Sequence, residues 1–414
     1  MNVGWIGLGK LGAPCALALQ HLAGHDVLGY DVRRQDVERL FADPSDHGEE
    51  GFGALIELGP LKLAHTIGEV VAHADVVFVA VQTPHAPAYG GETPMPEERR
   101  DFEYGYLIQA VRDVCRAAAD QAKPITLVVV STVLPGTCNK HLRGLLNPFV
   151  TLVYSPLFIA MGSTLKDFRE PEFVLMGADS PESLAPVAAV YAALHDRPVF
   201  RASIETAELI KVAYNTFISM KIVWANTMME ICHKTGADCD QLVNALTLAT
   251  DRVISPAYMR GGMGDGGACH PRDMIAMSWL AERLNLSYDL LGQMAYAREA
   301  QSGWLADLTE RWAEQTGFDI AILGKAYKPG TALTAGSPAL LLAHQLAERG
   351  HDVVLWDAPV DSRMDLTEPA VFVVGTKHPA NTSLKFPPGT VVLDPFGYMP
   401  DQPGVTVIRV GRKS

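Results

Sequence analysis

The chain has 414 residues, of which 48% are hydrophobic and 20% charged, a balance that excludes a disordered chain; it is too long for one ordinary core, so two or three domains are expected. A formal net charge of -13 argues against nucleic-acid and anionic-membrane partners, which require a basic surface. The 6 cysteines (Cys15, Cys115, Cys138, Cys232, Cys239 and Cys269) are scattered with no CxxC pair, which disfavours a disulfide scaffold or zinc site and fits reduced thiols.

In chain order, Val3-Gly4-Trp5-Ile6-Gly7-Leu8 is a short apolar run of buried-strand type. It starts almost at Met1, so no signal peptide is expected ahead of it. Gly7-Leu8-Gly9-Lys10-Leu11-Gly12 then leads into the Ala/Leu-rich stretch Ala13 to Leu22, a predicted helix closed by Gly24. His21 and His25 flank that glycine and read as a surface pair rather than a metal site. A second strand, Asp26 to Tyr30, ends on Asp31, and apolar runs at Val76–Val81 and Ile125–Val130 alternate with helical segments. This alternation predicts a parallel sheet with helices on both faces. Residues 84–101, rich in Pro, Gly and charge, read as a solvated loop.

From Ile204 to about Thr235 there is no Gly or Pro, and the stretch is apolar on most sides. Such a helix is roughly 45–50 Å long at about 1.5 Å per residue, and it needs a second domain or a second subunit to bury it. Gly236 stops it; more helix follows, interrupted by the glycine-rich stretch Gly261 to Gly267. A second α/β unit begins near Gly317, with strands Ile320–Leu323, Val353–Trp356, Val371–Val374 and Val391–Leu393 and a helix at Ala339–Arg349. No internal repeat is obvious. The predicted fold class is α/β: two Rossmann-like doubly wound domains, residues 1–200 and 316–414, joined by a central helical domain, 201–315, with a long helix. No apolar run is long enough to span a membrane, and a cytoplasmic location is expected.

The GxGxxG follows a strand, opens a helix, and is followed by an acid at the end of the next strand. Gly7 permits a tight turn, Gly9 lets the backbone approach a pyrophosphate, and Gly12 allows close helix packing. The pyrophosphate meets the helix N-terminus. Asp31 accepts from ribose hydroxyls and repels a 2′-phosphate, so NAD is favoured over NADP; Arg33 and Arg34 keep NADP in view. The bland alternative is a glycine turn with no ligand. Lys211 and Asn215, four apart on one helix face, suit polarisation of a carbonyl or alkoxide, although such a pair is ordinarily a solvated face. The stretch Gly261 to Asp273 delivers Cys269 beside His270 and Arg272, the cationic neighbours a thiolate needs.

These residues carry a resemblance. Val81-Gln82-Thr83-Pro84, Ser131-Thr132-Val133-Leu134-Pro135-Gly136-Thr137, Glu208-Leu209-Ile210-Lys211 through Asn215, Gly264 to Asp273, and Tyr327-Lys328-Pro329 together resemble the UDP-glucose/GDP-mannose dehydrogenase family over nearly the whole chain. The resemblance implies a homodimer and a two-NAD oxidation of a nucleotide-sugar primary alcohol to the carboxylate. It places Gly7, Gly9, Lys10, Leu11, Gly12, Asp31, Thr83, Pro84 and Thr132 at the cofactor. Lys211, Asn215, Arg252, Gly264, Gly266, Gly267 and Lys328 fall at the substrate. Cys269 is then the nucleophile that makes a thioester from the aldehyde; Lys211, Asn215, Asp273 and Thr132 complete the catalytic set.

The chain also departs from the family. Leu157 and Met161 stand where two family glutamates would serve the hydrolytic water, and Ala335 and Asp394-Pro395-Phe396-Gly397 replace arginine-bearing segments. Asp265 and His270 replace aromatics of the cysteine loop. Alternatives are therefore a single two-electron oxidation of another polar substrate, a simpler β-hydroxyacid dehydrogenase, or an NAD-binding protein without catalysis. The cysteine loop and third domain disfavour the second, and the retained Lys211, Asn215, Cys269 and Asp273 disfavour the last.

Overall fold

The computed structural model describes residues 1–43, 49–84, 86, 100–160, 162–255, 261–263, 269–329, 333–358, 361 and 366–412, with backbone alone for helical residues 222, 226, 233, 269–274 and 276. The chain divides into two units, Met1–Met220 and Lys221–Ser414.

The first unit runs β1 (Asn2–Ile6), α1 (Gly12–His21), β2 (Asp26–Tyr30), α2 (Arg34–Ala42), α3 (Phe52–Glu57), β3 (Lys62–Leu63), α4 (Ile67–His73) and β4 (Val76–Val79). It continues with α5 (Gly105–Asp120), β5 (Ile125–Val129), β6 (Val150–Tyr154), α6 (Thr164–Arg169), β7 (Val174–Gly177), α7 (Ala185–Ala192) and β8 (Val199–Ala202). Then comes α8 (Ile204–Thr235), which runs on into the second unit.

Among the described residues the strands form one eight-stranded sheet, ordered β3-β2-β1-β4-β5-β6-β7-β8. Pairing is parallel through β6; β7 meets β6 antiparallel at Tyr154 and Gly177, and β8 runs parallel to β7. Helices cover both faces, so the central strands are apolar at every position, as in Val76-Val77-Phe78-Val79. Alternate residues feed two cores: Trp5, Leu17, Phe78 and Tyr191 on one face, Val70, Leu107, Val111 and Leu127 on the other. Trp5 stacks on Phe78 with ring centroids 5.0 Å apart.

One expectation is corrected here. His25 is not a surface residue: the turn after α1 lies against α7, and the buried His25 ring sits 3.1 Å from the Val190 carbonyl oxygen. His21 instead contacts the Gly59 carbonyl oxygen at 2.6 Å.

The second unit adds α9 (Cys239–Thr247), α10 (Cys269–Arg283), α11 (Leu290–Thr316), β9 (Ile320–Leu323), α12 (Pro338–Glu348), β10 (Val353–Trp356), β11 (Val371–Val374), β12 (Val391–Asp394) and β13 (Thr406–Arg409). Its five strands are all parallel, ordered β10-β9-β11-β12-β13. Two sheets, each with a strand-order reversal beside its first strand, thus make the fold a pair of Rossmann-like units, with helices α8 to α11 in between in sequence.

Candidate active site

In an open parallel sheet, ligands sit outside the carboxyl ends of the strands where the strand order reverses. That point lies between β1 and β4, and a cleft of about 380 Å³ opens there. Gly7, Gly9, Asp31, Arg33, Val81 and Gln82 line it, and Tyr106, Gln109 and Asp113 of α5 complete the wall.

The three glycines differ physically. Gly7 has φ +94, and a Cβ there would stand 2.7 Å from the Ala80 carbonyl oxygen. A Cβ on Gly12 would overlap the Gly7 carbonyl oxygen. Gly9 has nothing within 4 Å among the described residues, so the packing there does not require it bare. Lys10 is exposed and Leu11 half-buried in the turn that enters α1. No side chain caps the start of α1, which leaves its positive end to an anion. Asp31 is held by two backbone amides: Leu8 donates to Oδ2 and Arg33 to Oδ1, both at 2.8 Å. Its remaining lone pairs suit ribose hydroxyls. Arg34 is committed elsewhere, its guanidinium donating to Glu38, Leu63 and Ala64, so of the two arginines Arg33 is the one in the cleft.

The loops after β4 and β5 are tied together. Thr83 Oγ1 donates to the Thr132 carbonyl at 2.8 Å, and Ser131 Oγ donates to the Val81 carbonyl at 2.6 Å. Thr83, Pro84 and Thr132 therefore stand together at the edge where β4 ends, and the Glu103 amide donates to the Pro84 carbonyl at 2.7 Å. The interior of the predicted 84–101 loop, 87–99, lies outside the described residues.

On α8, Lys211 is buried and its Nζ lies 5.0 Å from the centroid of the Phe158 ring. Phe158 packs on Phe173 and Tyr214, with centroids 4.8 and 4.6 Å away. Among the described residues Lys211 makes no ion pair, and burial pulls its ammonium below its ordinary pKa. Asn215, one turn on, is exposed. Leu157 is half-buried beside Pro156, Phe158 and Ile159, in a hollow that Asp167 and His195 also line; Met161 lies outside the described residues. Sequence reasoning assigned no role to Phe158, although it follows Leu157 in the segment set against the family's, nor to Glu208, whose place three residues before Lys211 is a comparable signal.

In the second unit, Cys269 is the first residue of α10 and Asp273 follows one turn later. Gly264, Gly266 and Gly267 lie outside the described residues. The residues before them are anchored: Met263 is buried with Ile320 and Leu342, the Phe396 ring stands 2.9 Å from where a Gly262 Cβ would sit, and Arg412 donates to the Gly261 carbonyl at 3.3 Å. Arg252 is exposed, as is Lys328, whose Nζ lies 5.4 Å from the Tyr327 ring centroid. Lys211 and Asn215 belong to the first unit; Arg252, Cys269, Asp273 and Lys328 belong to the second. Among the described residues no cluster of His, Cys, Asp or Glu could hold a metal ion, and no helix is long and apolar enough to cross a membrane.

Comparison with known proteins bears on these arrangements. Residues 1–195 match the UDP-glucose/GDP-mannose dehydrogenase family, NAD binding domain, and residues 205–298 match the central domain of that family. The chain is 26% identical to GDP-mannose 6-dehydrogenase of Azotobacter vinelandii over 97% of its length and 98% of the relative. It is 27% identical to the UDP-glucose 6-dehydrogenase AglM of Haloferax volcanii, over 88% of this chain and 85% of the relative. The crystal structure of a ternary complex of GDP-mannose dehydrogenase from Pseudomonas aeruginosa superposes with a TM-score of 0.86 at 26% identity, covering 98% of this chain and 99% of the other.

Proposed function

The chain belongs to the UDP-glucose/GDP-mannose dehydrogenase family, and from that premise we propose that it oxidises the primary alcohol of a nucleotide sugar to the carboxylate through an aldehyde and a Cys269 thioester. The cofactor is NAD: the cleft, the bare backbone at Gly9, the uncapped start of α1 and the tethered Asp31 all fit a dinucleotide. Bound NAD supplies the hydride acceptor at each of the two oxidation levels.

The chain's own residues do the rest. Asp273, directly or through a water, takes the hydroxyl proton as the alcohol becomes aldehyde. The Cys269 thiolate adds to the aldehyde carbon, and the resulting hemithioacetal loses hydride and its proton to become the thioester. The first position of a helix favours a thiolate. Lys211 and Asn215 hold the oxyanions. Water then cleaves the thioester, releasing the acid and the thiol.

The observation that carries this reading is the buried Lys211 on α8, without an ion pair among the described residues, in a chain that also has an intact dinucleotide cleft. Leu157, which supplies no proton acceptor where the family carries a glutamate, favours a second reading, a single two-electron oxidation; the nearby Asp167 carboxylate already accepts from Ala160 N and Ser163 Oγ. One experiment separates the two. With GDP-mannose or UDP-glucose and NAD, a burst of NADH followed by slow turnover and a Cys269 adduct in intact-protein mass spectra supports the thioester route. Full turnover by Cys269→Ala leaves the two-electron reading.

The assembly is a homodimer in this proposal. Phe217, Ile218, Met220 and Val223 of α8 are 40%, 43%, 54% and 46% exposed in the single chain, an apolar surface suited to a two-fold partner. Light scattering that finds a stable monomer at micromolar concentration rules it out. We divide the chain at residues 200 and 315 into cofactor, central and nucleotide-sugar domains and place it in the cytoplasm.

A further inference from the structure

We propose that Glu208 is a positioning residue: its buried carboxylate fixes Lys211 relative to the cofactor cleft by gripping the loop that follows β5. The proposal rests on the reading of Lys211 as a substrate-contacting group.

Glu208 has no solvent exposure, yet among the described residues its carboxylate meets backbone amides and the Cys138 thiol rather than a cation. Gly136 N donates to Oε2 at 2.6 Å, and Cys138 N donates to Oε1 at 2.8 Å. Both amides lie where the chain enters the short helical turn Cys138–Leu142, whose first N–H groups have no partner within the turn. A carboxylate removed from water is costly unless its charge is met by such donors, and hydrogen bonds to a charged group are the stronger kind. Gly136 has φ +87, a backbone conformation that presents its amide from a sharp turn. A packed Leu or Met would bury as well at 208, so a charged residue there is explained by what it grips.

The gripped loop leads to the cofactor. Six residues before Cys138 is Thr132, whose carbonyl accepts from Thr83 Oγ1, and Ser131 bonds Val81, a residue of the cleft wall. Farther along, Thr137 Oγ1 donates to the Leu134 carbonyl at 2.6 Å, while the Leu134 amide donates to Tyr104 Oη at 3.3 Å, so the segment is braced between its ends. On the other side of Glu208, Lys211 is three residues along α8 and shares its face. Glu208 is thus a buried point where the helix carrying the lysine is bolted to the loops that line the cleft, beside the exposed contact in which Asn139 donates to Glu205 of the same helix. A helix can rotate or slide while its hydrophobic packing stays largely satisfied; two directed hydrogen bonds accepted by one buried carboxylate restrict that freedom. Glu208 touches neither substrate nor cofactor in this account.

Glu208→Gln tests it with little change in volume. A glutamine can accept one of the two amides but turns an NH₂ group toward the other, so one donor faces a donor. Glu208→Asp retains the charge and withdraws it by one methylene. The substrate-independent readout is the rate at which acetic anhydride acylates Lys211, followed by mass spectrometry against the other lysines of the same full-length chain. We expect Lys211 labelling to rise about tenfold in Glu208→Gln, as a shift near 1.4 kcal/mol in its protected state implies, with Glu208→Asp between it and wild type. The NAD dissociation constant should stay within about threefold, and kcat with GDP-mannose or UDP-glucose should fall roughly a hundredfold, the scale of a 1 Å misplacement. A lowered melting temperature with Lys211 labelling and kcat unchanged overturns the proposal and leaves Glu208 a plain structural cap. If wild type turns over neither nucleotide sugar, the functional reading fails, while the labelling result still decides the role of Glu208.

Discussion

The two Rossmann-like units use the same device at the carboxyl edge of their sheets and put it to different ends. In the first, the Gly7 amide donates to the Tyr30 carbonyl at 2.9 Å, and the next amide, Leu8, donates to Asp31 at the end of β2. In the second, the Gly324 amide donates to the Trp356 carbonyl at 2.6 Å, and the next two amides, Lys325 and Ala326, donate to Asp357 at the end of β10 at 2.6 and 2.8 Å. Both glycines have positive φ, +94 and +110. There the likeness stops. Asp31 lines an open cleft, whereas Asp357 is 1% exposed and its free oxygen faces His378 Nε2 at 3.0 Å. Neither of those two atoms has another polar partner among the described residues. Asp361 then accepts from the Asp357 amide and from Lys325 Nζ, closing the edge with protein groups. An acid after the second strand is therefore not by itself a ribose site; what decides is whether the protein has already occupied its lone pairs.

The contrast is broken most severely at the buried acid. Asp357→Ala leaves His378 and two amides unpaired in the interior, and removing one partner of a buried pair costs roughly 3–5 kcal/mol. Urea unfolding should show the second unit destabilised while calorimetry finds NAD affinity unchanged. Asp31→Ala should do the converse: a smaller stability loss, NAD affinity lower by about ten- to a hundredfold as expected for hydrogen bonds to a charged group, and weakened discrimination against NADP. Tighter NADP than NAD binding in the wild-type chain would remove the role given to Asp31.

A smaller effect is expected within the glycine turn. Gly9→Ala adds a methyl into empty space, so the melting temperature should hold while NAD binding weakens by about tenfold, or 1.4 kcal/mol. Gly324→Ala should leave NAD binding intact and destabilise the second unit, because its Cβ would collide with Thr376. Equal melting-temperature losses in the two variants would contradict the assignment of Gly9 to the ligand rather than the fold.

The smallest effect is the pH dependence at Lys211. Burial lowers its pKa from the ordinary 10.5, so the folded state holds fewer protons there than the unfolded state once pH exceeds the folded pKa. Its ammonium is a burden on folding at neutral pH, and that burden lifts as pH rises from the folded pKa toward the unfolded one. Lys211→Met should therefore melt above wild type at pH 7, and the difference should narrow toward pH 10. A gap that is flat across that range would mean Lys211 titrates as a solvated lysine.

Much of this was legible from sequence where a single physical pressure dominates. Asp26–Tyr30, Ile320–Leu323, Val353–Trp356, Val371–Val374 and the 32-residue helix Ile204–Thr235 stand where periodicity and punctuation put them. Strands of two-face-covered sheets are short apolar runs, and Gly236 leaves the long helix no continuation. β7 and β8 were not anticipated: each is four residues, and β8, Val-Phe-Arg-Ala, is an edge strand with exposed Phe200 and Arg201 and no apolar run to announce it. The glycine turn and Asp31 that line the cleft were readable because a fingerprint is made of local backbone. Phe158 against Lys211, His378 against Asp357 and Glu208 against Gly136 were not, since each joins residues 21 to 72 positions apart whose pairing only the folded chain creates.

The emptiness around Gly9 makes that residue a witness to use. Gly7 and Gly12 are locked by the protein's own atoms, so a lineage that stopped binding dinucleotides would still have to keep them. Among the described residues nothing in the fold defends Gly9. Released from the ligand, it would drift as freely as any exposed turn position, while the two glycines around it stayed. Among relatives of this chain, a motif that keeps its outer glycines and has lost the middle one marks a domain that has survived its cofactor.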